Sequence, residues 1–208
     1  MANNIVGILL AGGRGTRLYP LTKNTSKQLL SIYNKPLIYY PLSTLMLAGI
    51  RKILIISTKE DINNYKSLLG DGSQYNCDFH YKVQEKPDGI GSAFILGEKF
   101  IGKDNVFLIL GDNIFHGDDF IKILRESINN FKSNTIFGYY VQNPNEYGVI
   151  QFENNEIVDI VEKPLNYVSN YAVPGIYLYD SSVINIAKSI GFSSRGEREI
   201  TDINKYYL

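Results

Sequence analysis

Ile5-Val6-Gly7-Ile8-Leu9-Leu10-Ala11-Gly12-Gly13-Arg14-Gly15-Thr16-Arg17-Leu18 is the stretch on which the reading of the chain turns. Its apolar run, rich in Ile and Leu and about one strand long, reads as a buried strand. The run breaks into a glycine cluster that ends on arginine instead of on more strand. Glycines just past a strand let backbone N–H groups approach an anion that side chains would keep away. Arg14 and Arg17 sit where that anion would lie. Neither of the better known phosphate loops matches: Leu18 stands where the dinucleotide fingerprint needs its third glycine, and no Gly-Lys-Ser/Thr follows, as a Walker loop requires. Taken alone, the cluster reads equally well as an ordinary glycine turn between a strand and a helix.

The rest of the chain alternates. Apolar spacing predicts helices over Pro36 to Ala48, Ile62 to Leu69 and Ser92 to Phe100, and another opened by Asp118 as its N-cap and closed near Phe131. Between them Lys52 to Ser57, Asp78 to Val83 and Asn105 to Leu110 read as strands. Helices covering both faces of a mainly parallel sheet follow from that order. From Thr135 the pattern changes to strands: Thr135 to Val141, Val149 to Glu153, Ile157 to Glu162 after a turn at Asn154-Asn155, and Tyr171 to Leu178. Ser182 to Ile190 and Ile200 to Leu208 read as helices. The expected fold is α/β, Rossmann-like, with a mixed, mainly parallel sheet flanked by helices and an antiparallel portion covering one side of the cleft. Residues 1–208 read as one domain. The glycine loop, the Gln84 to Ile90 loop and Asp112 each follow a predicted strand, so they should meet at one sheet edge.

Composition narrows the chemistry. Twenty-one Lys plus Arg balance 21 Asp plus Glu, which leaves no global field to recruit nucleic acid or an anionic membrane. Cys77 is the sole cysteine, so an internal disulfide and a cysteine-cluster metal site are both excluded, as suits a reducing cytoplasm. With His80 and His116 the only histidines, a metal would be held by oxygen. The first apolar run is too short to span a membrane and has no basic residue before it. Arg14, Arg17 and Lys27 can neutralise several phosphate oxygens. Asp112 either simply turns the chain or holds Mg²⁺ beside a polyphosphate. Lys163 and Arg195, if they face the same cleft, supply cations for a second anion. Two anions beside one Mg²⁺ suggest phosphoryl or nucleotidyl transfer, which needs no protein nucleophile.

The motifs Leu10-Ala11-Gly12-Gly13-Arg14-Gly15-Thr16-Arg17-Leu18, Ser26-Lys27-Gln28-Leu29-Leu30, Gly111-Asp112-Asn113, Glu162-Lys163-Pro164 and Arg195-Gly196-Glu197 resemble, in order, those of the sugar-1-phosphate nucleotidyltransferases. Tyr39 to Ile50 and Gly70-Asp71-Gly72-Ser73 resemble the branch that joins dTTP to glucose 1-phosphate. The resemblance implies a triphosphate on Gly12, Gly13, Gly15, Thr16 and Arg17 with Lys27, Mg²⁺ on Asp112, and thymine against Leu10, Gln84, Pro87 and Gly89. It implies glucose 1-phosphate on Asn113, Tyr147, Gly148, Glu162 and Val173, its phosphate held by Lys163 and Arg195. Arg17, Lys27 and Lys163 would carry the catalysis, and the family's homo-oligomer, a tetramer, would be the assembly.

Four departures temper that expectation. The family's pattern continues into a Trp-x-Asp-x-Gly segment whose Asp is a second magnesium ligand, whereas this chain has no Trp, so it is expected to bind nucleotide and turn over poorly. Pro174 removes a backbone donor beside the expected sugar contacts. Arg198 and Gly91-Ser92 also differ from the usual residues. Transfer to another base or hexose 1-phosphate, and non-catalytic sugar-nucleotide binding, remain the alternatives.

Overall fold

The computed structural model describes residues 4–13 and 15–208. The chain runs β1 (Ile5–Ala11), β2 (Ser31–Ile32), β3 (Lys35–Pro36), α1 (Tyr39–Leu47), β4 (Lys52–Ser57), α2 (Ile62–Leu69), β5 (Asp78–Val83), α3 (Ser92–Leu96), α4 (Glu98–Ile101), β6 (Asn105–Leu110) and α5 (Phe120–Asn129). It then turns strand-rich, with β7 (Asn134–Ile136), β8 (Tyr139–Tyr140), β9 (Gly148–Glu153), β10 (Glu156–Glu162), β11 (Tyr171–Val173) and β12 (Ile176–Tyr179), followed by α6 (Val183–Ser189) and α7 (Ile200–Tyr206).

The large sheet has the order β5-β4-β1-β6-β12-β7. Its first four strands are parallel, and β12 and β7 add antiparallel pairings. Alternation along each strand splits the core in two. Val6, Ile8, Leu54, Ile56, Val106 and Leu108 face Phe94, Val183, Ile200 and Ile203 from α3, α6 and α7. Leu9, Ala11, Ile53, Ile55, Phe107 and Ile109 face Leu42, Leu45, Tyr65, Leu69 and Leu124 from α1, α2 and α5. A sheet buried on both faces requires such continuous Ile/Leu/Val strands. From β1 the chain moves to β4 on one side, and it later returns to β6 on the other. The crevice beyond the carboxyl ends of β1 and β6 is therefore the topological switch point, where open α/β sheets bind ligands.

A small sheet, β10-β9-β11-β8, is antiparallel throughout. Asn154 and Asn155 join β9 to β10 with φ of 51° and 65°, the paired positive values of a tight hairpin turn. Among the described residues, no helix is long and apolar enough to cross a membrane.

Several expected boundaries are corrected. The helix expected from Pro36 begins at Tyr39, because Lys35 and Pro36 pair with Ser31 and Ile32. Ser92 to Phe100 is not one helix but two, separated at Gly97, whose Cβ would meet Ile8 Cδ1 at 3.1 Å. Asp118 does not cap α5; Asp119 stands at the cap with φ 58° and no side-chain hydrogen bond to the helix. The strands expected over Thr135 to Val141 and over Tyr171 to Leu178 each divide between the two sheets, the first after Ile136 and the second at Pro174-Gly175.

Candidate functional site

The loop after β1 folds onto the segment that follows it. Gly15 has φ 56°, and its Cβ would lie 2.9 Å from Thr22 Cγ2 and 3.1 Å from Lys27 Cβ. Both the backbone angle and the packing therefore require glycine. Thr22 Oγ1 donates to the Gly15 carbonyl at 2.9 Å. Arg14 lies outside the described residues. A cavity of about 410 Å³ opens beside the loop, lined by Gly12, Gly13, Gly15, Thr16, Arg17, Leu18, Lys27, Gln28 and Asp112. The glycine loop, both described cations of the triphosphate set and the expected metal ligand thus share one wall. A larger hollow of about 800 Å³ lies against the same loop and is lined by Lys23, Glu60 and Asp61 among others. Its two carboxylates oppose a polyphosphate, so by charge the smaller cavity suits phosphate better.

A buried polar chain braces this wall. Tyr65 Oη donates to Ser26 Oγ (2.6 Å), Ser26 Oγ donates to Gln28 Oε1 (2.5 Å), and Gln28 Nε2 donates to the Gly12 carbonyl (3.2 Å). Ser26, Gln28 and Tyr65 are all buried, and burial pushes the Tyr65 phenol well above its usual pKa, so it stays a donor. Tyr65→Phe removes the first donor of the chain and is expected to cost about 1 kcal/mol of stability. A lower urea midpoint at unchanged slope is the measurement.

The carboxyl ends of the strands converge as expected. Gly111 N–H donates to the Leu10 carbonyl at 2.9 Å, which sets β6's exit beside β1's. Lys27 Nζ lies 3.1 Å from Asp112 Oδ2, and Asn113 Nδ2 donates to Asp112 Oδ1 at 2.9 Å. Both side chains of the ion pair are about one-third exposed. Asn113 Oδ1 in turn accepts from Gly175 N–H at 3.2 Å. Pro174 immediately precedes it, at the break between β11 and β12, where no ladder bond needs the missing N–H.

In the small sheet, Val173, Gly148 and Glu162 are register neighbours across β11, β9 and β10. Three residues expected around the sugar therefore stand in one row on one face. Glu162 is fixed at both oxygens, accepting from Thr201 Oγ1 at 2.7 Å and from Arg195 Nη2 at 3.3 Å. Tyr147, the row's half-exposed neighbour, accepts from Lys163 N–H at 2.9 Å.

The base loop meets this half through backbone. Gln84 Nε2 donates to Asp88 Oδ1 at 2.7 Å, and the Gln84 Oε1 lies 3.3 Å from where a Gly12 Cβ would be. Gln84 Nε2 also donates to the Gly89 carbonyl at 3.5 Å, so its N–H groups point into the loop that also holds Pro87. Arg198 N–H donates to the Asp88 carbonyl at 2.8 Å, and Gly91 N–H to the Arg198 carbonyl at 3.0 Å. Direct contacts and short steps along the chain thus connect the candidate residues in a ring: Gln84 to Gly12, Gly12 through Gln28 to Lys27, then Asp112, Asn113 and Gly175, through Pro174 to Val173, then Gly148, Glu162 and Arg195, along the chain to Arg198, and through Asp88 back to Gln84.

Sequence reasoning missed Asp88, Glu199 and Thr201, and it took Arg198 only as a departure. Ser26 and Gln28 stood inside a recognised motif, but their partner Tyr65 is 39 residues from Ser26. No local pattern marks such a partner.

A family model described as nucleotidyl transferase matches residues 6–208. The glucose-1-phosphate thymidylyltransferase of Neisseria meningitidis serogroup A is 53% identical over 203 residues, covering 97% of this chain and 70% of the relative. That of Mycobacterium tuberculosis is 50% identical over 206 residues, with coverages of 97% and 70%. Among solved structures, a Bacillus anthracis protein crystallised with sucrose and assigned the same activity aligns with TM-score 0.90 at 44% identity, over 98% of this chain and 82% of its own. UDP-glucose pyrophosphorylase with UDP-glucose aligns with TM-score 0.83 at 28% identity, over 98% and 86%. With its motifs joined in one circuit and a match that spans nearly its whole length, the chain belongs to the nucleotidyl transferase family.

Proposed function

We propose that this chain, acting as a single cytoplasmic domain, transfers a thymidylyl group from dTTP to glucose 1-phosphate, giving dTDP-glucose and pyrophosphate. The closed circuit carries the reading: a glycine loop with cations, a carboxylate beside it, a loop with amide groups for a base, and a sugar-sized row with its own cations are joined by direct contacts and short steps along the chain. The names of the relatives supply the particular base and sugar.

In this reading the triphosphate lies on Gly12, Gly13, Gly15, Thr16, Arg17 and Lys27, and thymine lies against Leu10, Gln84, Pro87 and Gly89. Glucose lies against Asn113, Tyr147, Gly148, Glu162 and Val173, with its phosphate on Lys163 and Arg195. An oxygen of the sugar phosphate attacks the α-phosphorus of dTTP. The bond from that phosphorus to the bridging oxygen breaks, and pyrophosphate leaves with the electron pair. Lys163 orients the attacking phosphate and Arg17 stabilises charge on the leaving group, so catalysis is alignment and charge stabilisation.

Among the described residues, no three His, Cys, Asp or Glu side chains converge as a preformed metal cage. Asp112, a hard oxygen donor on the phosphate cavity's wall, nevertheless suits Mg²⁺, which takes one or two carboxylates and completes its shell with phosphate and water. Asp112 would hold the ion. When bound there it supplies neutralisation of phosphate oxygens. Lys27, 3.1 Å away, fixes the direction of that carboxylate.

Pyrophosphate release, measured with Mg²⁺ and glucose 1-phosphate and with dTTP, UTP, CTP, ATP or GTP in turn, tests the reading. A strong preference for dTTP is expected. Preference for UTP would replace the base, and nucleotide binding without release would leave a non-catalytic sugar-nucleotide binder.

A further inference from the structure

Residues 193–201 contribute more than Arg195 to the sugar-phosphate half. Arg195 presents one edge of its guanidinium to Glu199: Nε donates to Oε1 at 3.1 Å and Nη2 to Oε2 at 2.7 Å. A two-point, side-on pair of this kind fixes a planar fork in both position and rotation. Glu199 is itself anchored. Its side chain is 12% exposed, its backbone opens α7, and Ser193 Oγ donates to its Oε1 at 2.6 Å. Burial would raise the Glu199 pKa, but hydrogen bonds from Arg195 and Ser193 and the charges of Arg195 and Lys163 outweigh it, so the carboxylate falls below its usual range. The Glu199 hydrogen bond is also the main cause that raises Arg195. Both groups are charged at neutral pH. Among the described residues, no hydrogen bond ends on Arg195 Nη1, so Glu199 occupies one edge of the fork and leaves the other for an incoming anion.

We propose that Glu199 is a positioning residue for Arg195, locking the Nε and Nη2 edge so that Nη1 is presented to the phosphate of the sugar substrate beside Glu162 and Lys163. The role rests on the nucleotidyl-transfer reading of the site. A fork already held in place spares the binding step the ordering of a long side chain. The competing account is charge competition. Arg195 Nη2 has Glu162, Glu197 and Glu199 at 3.3, 3.7 and 2.7 Å, and these carboxylates could simply contend with phosphate for the guanidinium. The two accounts predict opposite signs when Glu199 is neutralised.

Steady-state kinetics on Glu199→Gln, Arg195→Ala and the double variant decide between them. Positioning requires that Glu199→Gln raise KM for glucose 1-phosphate by about threefold to tenfold, with KM for dTTP unchanged. It also requires that the double variant be no worse than Arg195→Ala alone, because nothing is left to position. A lower or unchanged KM for glucose 1-phosphate, or additive losses in the double variant, overturns the role. If Glu199→Gln does not fold, Glu199→Asp carries the same test, since it keeps the charge but is too short for the two-point pair. If the unsubstituted chain transfers no nucleotide, the functional reading falls, and calorimetric titration of glucose 1-phosphate into the same proteins tests the positioning role by the same order of Kd. If it transfers and Glu199→Gln matches it, only the positioning role falls. No binding of glucose 1-phosphate at all overturns both.

Discussion

Arg17→Ala lowers turnover by about a hundredfold to a thousandfold, the usual loss when one preorganised group that stabilises transition-state charge is removed, and leaves the unfolding midpoint where it was. The two halves of that expectation have separate physical grounds. Arg17 is exposed, sits in a single short helical turn at Thr16–Leu18, and makes no hydrogen bond or ion pair to another described residue. Folding therefore gains little from it, and an exposed substitution of this kind shifts stability by no more than about 0.5 kcal/mol. The same residue lines the proposed phosphate cavity together with Lys27 and Asp112. Its charge has no partner among the described residues, so in the proposed reaction its interaction energy is kept for charge that develops on the leaving pyrophosphate. Turnover at saturating dTTP and glucose 1-phosphate, with urea unfolding in parallel, is the measurement. Arg17→Lys should recover part of the rate, because a point charge replaces the fork. Near-normal turnover in Arg17→Ala would remove the residue from the chemistry.

Elements that repeat a local pattern were legible, and elements that depend on distant neighbours were not. Lys52 to Ser57 and Asn105 to Leu110 carry continuous apolar runs because both faces of their sheet are covered, and their boundaries match the structure, while the apolar run that opens at Ile5 forms β1. The meeting of the glycine loop, Asp112 and the 84–90 loop followed from the placement of ligands beyond parallel strand ends. Thr135 to Val141 and Tyr171 to Leu178 each kept a strand-like pattern across a change of sheet, since alternation records which face is buried and not which sheet the strand joins. The helix expected over Ser92 to Phe100 divides at Gly97, where a Cβ would lie 3.1 Å from Ile8 Cδ1, a close approach of β1 that comes from 89 residues away. The candidate site divides in the same way. Arg17, Lys27, Asp112, Glu162 and Arg195 stand in recognisable motifs, while Tyr65, Glu199 and Thr201 look like an ordinary core tyrosine and ordinary polar positions until their partners are in place. Arg198 shows this most clearly. Its guanidinium donates to the carbonyls of Ala187 and Ile190 and stacks over Phe192, while its backbone joins the base loop to the sugar-phosphate segment.

That backbone junction makes Gly89→Ala the most damaging small substitution expected in the base loop. Gly89 has φ 96°, and its Cβ would stand 2.5 Å from the Arg198 carbonyl oxygen and 2.6 Å from the Arg198 nitrogen. Both clashing atoms are backbone, so no rotamer change relieves them. Overpacking costs about 1 to 3 kcal/mol and a left-handed angle about 1 to 2 kcal/mol for an L residue, which together give a loss of about 2 to 5 kcal/mol. The loop can escape only by moving off Arg198, which breaks the bonds from Arg198 N–H to Asp88 and from Gly91 N–H to Arg198. Asp88 holds Gln84, and Arg198 continues the segment that carries Arg195. KM should therefore rise for dTTP and for glucose 1-phosphate together, whereas a fault confined to the base pocket would raise only the first. Gly102→Ala is the control, since Gly102 has φ 59° but nothing within 4 Å of its Cβ. It should show only the cost of its backbone angles, φ 59° and ψ −114°, about 1 to 3 kcal/mol, with both KM values unchanged. Equal stability losses in the two variants, with both KM values intact in Gly89→Ala, would mean that the contact with Arg198 is not what demands glycine at position 89.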